Sequence, residues 1–172
     1  MTGELLIKIT VWISLAGYAI ALIIFLQSKG RLKWDAFARL LWTTGCIAML
    51  AHAVSAFHFH HHWSHTAAFN ETARQTAKVY GLNWGGGIFI NYILIIGWIL
   101  DVIWWWRGLT IYRNRSKIFS IAWHVFLFFI FFNATVVFED GILRWLWIVF
   151  SLALLFILFQ KSSGRSITFN ES

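Results

Sequence analysis

The sequence predicts an all-α integral membrane protein: a bundle of about five transmembrane helices, with a short amphipathic surface helix in one connection. Three observations lead there. The 172 residues are 59% hydrophobic and 12% charged, about half the ~25% charged fraction of soluble domains. The apolar residues come in five blocks of about 18–22 residues, near the ~20 that cross a ~30 Å hydrocarbon core. Proline is absent, so no block carries a proline kink. Backbone groups unpaired in lipid cost several kcal/mol each, so the blocks must be helices.

The expected spans are residues 9–26, 36–57, 88–106, 118–138 and 142–159, within a single membrane domain over 1–172. Residues 1–8 lack a basic n-region and an A-x-A-like cleavage site, so the first block reads as a retained span. The connections alternate in charge. Lys29, Arg31, Lys33 and Arg39 stand against Asp35 between spans one and two. Arg107, Arg113, Arg115 and Lys117 stand without an acid between three and four, and Lys161 and Arg165 follow span five. By the positive-inside rule these segments and the C-terminus are cytoplasmic and the N-terminus is outside; the expected location is the cell (inner) membrane. The net charge of +7 is thereby explained as topology, and no nucleic-acid partner is expected. Lipid is the expected partner, with other membrane subunits a further one. Cys46 is the single cysteine, which excludes an internal disulfide and a Cys-X-X-Cys motif.

Trp34 and Trp104–Trp106 lie near one boundary and Trp63, Trp84 and Trp145 near the other, as interfacial belts do. The one sizeable connection, 58–83, is on the outer side. Phe69, Ala73, Thr76 or Ala77, and Tyr80 recur in it at helical spacing, with Gly81 as a stop, which predicts a surface helix over 64–80. Gly85-Gly86-Gly87 opens span three and suits close packing. Asn70-Glu71-Thr72 is a glycosylation sequon in a host that glycosylates.

Chemistry concentrates at the outer end of span two. His58-Phe59-His60-His61-His62-Trp63-Ser64-His65 holds five of the seven histidines. If the helix continues, 100° per residue places His58, His61, His62 and His65 within one arc of about 100°. Imidazoles on consecutive turns suit a transition metal such as zinc, copper or iron. His52, Glu139 and Asp140 are the expected additional or supporting ligands. Asn91, Tyr92 and Asn133 lie at matching depth and extend this polar zone, each with interhelical hydrogen bonding as its simpler role.

Nearer the cytoplasm, Asp101 and His124 are expected to pair, as a structural contact or a proton-transfer step. A haem held by His52 and His124 is not expected, since they differ in depth by roughly 12 Å at 1.5 Å rise per residue. The spacing His58-x-x-His61-His62 matches one histidine box of the membrane di-iron desaturases. Those enzymes use several boxes on the cytoplasmic side, so the match is set aside. The resulting expectation is a membrane protein binding a metal ion at its outer face, for metal handling or for redox or hydrolytic chemistry. A non-catalytic assembly subunit is the first alternative. A transporter or proton conductor through Asn91, Asn133, Asp101 and His124 is the second.

Overall fold

The structure, a computed structural model, describes residues 3–28, 30–138 and 141–167, with side chains to residue 157 except at 143. The elements are α1 (Gly3–Gln27), α2 (Leu32–Phe59), α3 (His65–Tyr80), α4 (Gly87–Trp106), α5 (Leu109–Arg113), α6 (Lys117–Phe132) and α7 (Ile142–Ile167). A π-helical turn, Asn133–Val137, continues α6. No strand occurs among the described residues. Four helical stretches are long and apolar enough to cross a membrane: α1, α2, α4 and Lys117–Val137. In α7, where a fifth span is expected, the apolar stretch among the described residues is Arg144–Ile157, shorter than those four.

The chain divides into two compact units, Met1–Leu127 and Phe128–Ser172. In the first, α1 and α2 form the most extensively packed helix pair. Each buries a stripe at helical spacing: Thr10, Ser14, Gly17, Tyr18 and Ala21 on α1, and Ala38, Trp42, Gly45, Cys46 and Met49 on α2. Small residues dominate both stripes because lipid supplies no hydrophobic drive between helices, so association depends on close contact. At the crossing, a Cβ on Gly17 would lie 2.8 Å from the Gly45 Cα and 2.9 Å from the Leu41 carbonyl oxygen. Beside it, the buried rings of Tyr18, Trp42 and Trp98 pack together, with centroids 5.7 Å (Tyr18–Trp42) and 5.3 Å (Trp42–Trp98) apart.

α3 begins where Ser64 accepts a hydrogen bond from the Ala67 N–H at 3.1 Å, satisfying an orphan donor of the first turn. It stops at Gly81, whose φ of +72° closes the helix in the left-handed region. The glycines at the start of α4 serve packing. A Cβ on Gly85 would meet the Phe69 carbonyl oxygen at 2.5 Å, and one on Gly86 would strike the Trp84 indole at 2.3 Å.

In the second unit, widening of the helix at Asn133 gives a Phe138 N–H to Asn133 carbonyl bond of 3.0 Å, five residues apart. The Val136 carbonyl accepts from Arg144 Nε at 2.9 Å instead. Phe131 and Trp147 pack at 5.9 Å.

The Gly17–Gly45 contact is testable. Gly17→Ala places a methyl against backbone that cannot rotate away, and overpacking of this kind costs ~1–3 kcal/mol. The detergent-solubilised variant is expected to unfold at a lower temperature than the wild type, whereas the exposed substitution Gln75→Ala leaves the transition unchanged.

Candidate functional site

The titratable side chains of the first unit gather at its two ends, a histidine end and a basic end. At the histidine end α2 stops at Phe59 rather than running through the imidazoles. The His60 and His61 N–H groups both donate to the Ala56 carbonyl, at 2.9 and 3.2 Å, and the Trp63 N–H folds back to Phe57 at 2.9 Å. His62 and Trp63 take the left-handed conformation, with φ of +47° and +60°, uncommon for residues with a Cβ. Contacts of the Trp63 ring with Phe57 (6.4 Å) and His58 (6.2 Å) offset that cost. The turn then delivers Ser64 as the cap of α3.

The helical arc expected for His58, His61, His62 and His65 therefore does not exist. The His58 ring packs edge-on to Phe59 at 4.6 Å. His61 packs on Phe57 at 5.6 Å, with its centroid 6.4 Å from that of His60. His65 shares a 3.1 Å hydrogen bond between its Nδ1 and the Tyr92 hydroxyl, which ties the start of α3 to α4. His52 Nδ1–H donates to the Ile7 carbonyl at 3.1 Å and braces α2 on α1. Among the described residues no three His, Cys, Asp or Glu side chains come together as a metal group. Glu139 and Asp140 lie outside the described residues. Asn91 is exposed. Asn133, in the second unit, donates to the Phe129 carbonyl of its own helix at 2.8 Å.

Electrostatics nonetheless distinguish one imidazole. Partial burial, and then the neighbouring His60 and His62, hold His61 below the usual imidazole range against the opposing pull of Glu71. Glu71 is itself held below the usual carboxylate range, chiefly by its hydrogen bonds from Arg74.

The sequence marks this end as basic but does not indicate how its charges pair. Asp35, which counts as a loop acid in the sequence, lies in the first turn of α2 and is fully buried. Arg113 grips it through Nε and Nη2, the latter 2.5 Å from Oδ1. The same Nη2 reaches the Ser28 hydroxyl and the Phe25 carbonyl, while Ser28 donates to Asp35 at 2.5 Å.

Asp101 pairs not with His124, as expected, but with Arg115, both side chains being no more than 3% exposed. Its second oxygen accepts from the Tyr112 hydroxyl at 2.9 Å. His124 stands on the far side of Arg115, 3.5 Å from Nη2, because a guanidinium outcompetes a neutral imidazole for a buried carboxylate. Arg115 also donates to Ser120 and lies 3.9 Å over the Tyr112 ring, which stacks flat on Trp105 at 4.2 Å. Burial, and then the Asp101 charge, push the Tyr112 hydroxyl well above its usual range, so it remains a donor. The adjoining seam between Trp42, Trp105, Tyr112 and His124 is too narrow for a water molecule.

These contacts make the basic end a clip: two arginines from one short segment neutralise carboxylates on α2 and α4. Set beside known protein families, curated proteins and solved structures, the chain matches none.

Removing one partner of a buried ion pair costs ~3–5 kcal/mol, whereas replacing both with apolar groups is close to neutral. Asp101→Ala is therefore expected to reduce the folded yield sharply and to lower the unfolding temperature. The double variant Asp101→Leu/Arg115→Met is expected to recover most of that loss in the same thermal assay.

Proposed function

We propose that this chain is a five-span inner-membrane protein with its basic end in the cytoplasm, and that its outward histidine turn captures a transition-metal ion, zinc, copper or iron, for handling rather than catalysis. The observation that carries the reading is the density of imidazole in one surface turn, with His58, His60 and His62 exposed and His61 half-buried between them. The His60 and His61 ring centroids are 6.4 Å apart, and a shared ion would require one nitrogen of each to turn to within ~2.0–2.1 Å of it. Glu71 stands on the His61 side as a source of negative charge.

Handling is favoured over catalysis by what fixes the rings. At the histidine end, among the described residues, the ring nitrogens held by hydrogen bonds belong to His52 and His65, and their partners are the Ile7 carbonyl and Tyr92 of the fold itself. Catalytic metal ligands are oriented by such partners. The imidazoles of the turn make ring contacts instead, which suits a labile, exchangeable ion.

A second reading, a non-catalytic membrane subunit, draws on the basic end, where Asp35 and Asp101 are neutralised internally by Arg113 and Arg115. The same pairing weighs against a proton conductor, since both carboxylates are already committed to guanidinium groups.

Metal content separates the two readings. Tag-free protein equilibrated with one equivalent of Zn²⁺ and desalted is expected to retain roughly one ion per chain by mass spectrometry. His60→Ala/His61→Ala is expected to lose it, while His65→Ala retains it. Retention is expected to be lost on acidification, since a protonated imidazole does not bind metal, and partial burial, which holds His61 below the usual imidazole range, delays that loss to lower pH. Equal metal in wild type and His60→Ala/His61→Ala would leave the subunit reading standing instead.

A further inference from the structure

Arg39, like Lys33, is a basic side chain of α2 that takes no part in the clip. Asp35 lies one turn before it, but that carboxylate is taken by Arg113 and Ser28. Among the described residues no carboxylate pairs with Arg39, and its Nε is buried without a hydrogen-bond partner. The guanidinium lies 4.0 Å over the ring of Trp106. That ring is held in place: Trp106 Nε1–H donates to the Thr43 hydroxyl at 3.0 Å, and Thr43 donates to the Arg39 carbonyl at 2.8 Å. Three side chains from two helices thus present one cation at a fixed position.

The location narrows the ligand. Trp106 is the last residue of α4 and Arg107 follows it, so the pair sits where the helix leaves its apolar stretch, the depth of an interfacial tryptophan. From Trp106 toward the middle of α4, Ile103, Leu100 and Ile96 are all exposed at helical spacing. A ligand that satisfies both features carries an anionic phosphate at one end and an acyl chain at the other. A guanidinium with free N–H donors matches phosphate oxygens in pairs, and Trp106 covers the face that water would otherwise hydrate.

We infer that Arg39, Trp106 and Thr43 form a binding site for the phosphate of an anionic phospholipid at the basic end, with an acyl chain along Ile103 and Leu100. The shared chemistry is phosphate recognition, so a free phosphate ion is the competing source.

The test is native mass spectrometry of the full-length protein in detergent, titrated with dioleoyl phosphatidylglycerol, with dioleoyl phosphatidylcholine and with inorganic phosphate. Phosphatidylglycerol is expected to bind at one saturable site, and Arg39→Gln to weaken it roughly tenfold, about one charge-assisted hydrogen bond. Lys33→Gln, which removes the same charge from the same end, should leave it unchanged. Arg39→Lys keeps the charge and the helix but not the fork, and is expected to bind more weakly than wild type even if Arg39→Gln folds poorly. Equal losses in Lys33→Gln and Arg39→Gln, wild-type affinity in Arg39→Lys, or displacement of the lipid by millimolar phosphate would each overturn the proposal.

Discussion

A guanidinium taken out of water must find a carboxylate, and a carboxylate buried among apolar helices must find a cation. Asp35 and Asp101 are the two carboxylates that the first unit buries, on α2 and α4 respectively. The segment from α5 to α6 supplies Arg113 to one and Arg115 to the other. Because the two arginines are separated by a single residue, satisfying both acids fixes where that segment lies. The aromatic stack follows from the same requirement. Tyr112 must turn its hydroxyl to Asp101, which lays its ring flat on Trp105 and under Arg115. Trp105 in turn contacts Phe25 and Trp42, joining the charge pairs to the helix core.

What was legible in the sequence is what depends on solvent and on local pattern. Apolar stretches of membrane length mark α1, α2, α4 and Lys117–Val137 because lipid requires them. Ser64 and Gly81 bracket α3 because capping is a property of the residues themselves. The histidine arc was not legible, since it rested on α2 continuing. Whether a helix continues depends on competition with the next cap and with the Phe57–Trp63 ring contact, which no periodicity encodes. The partner of Asp101 was hidden for another reason. Arg113 and Arg115 fit the pattern of topological charge in a basic loop, and sequence alone does not tell a solvated loop arginine from one that turns back into the bundle. The hint was compositional: two lone acids near a basic end, each in want of a cation.

The two ends of this unit consequently differ in kind. At the basic end the charges are paired, the rings are stacked and the adjoining seam is too narrow for water. At the histidine end, His58, His60 and His62 are exposed in a turn with two left-handed residues, and the ring contacts there are aromatic. His52 and His65 mark the border, each spending a ring nitrogen on the scaffold.

The dependence of the fold on the buried pairs is tested most directly by a double-mutant cycle on Asp35 and Arg113, read by equilibrium unfolding in detergent. Removing either partner is expected to destabilise strongly, and removing the second to add little. The coupling energy is then at the upper end of the ~0.5–3 kcal/mol seen for residues in contact. Losses that simply add would mean that the two side chains do not depend on each other, and the clip would not be what holds this end of the bundle together.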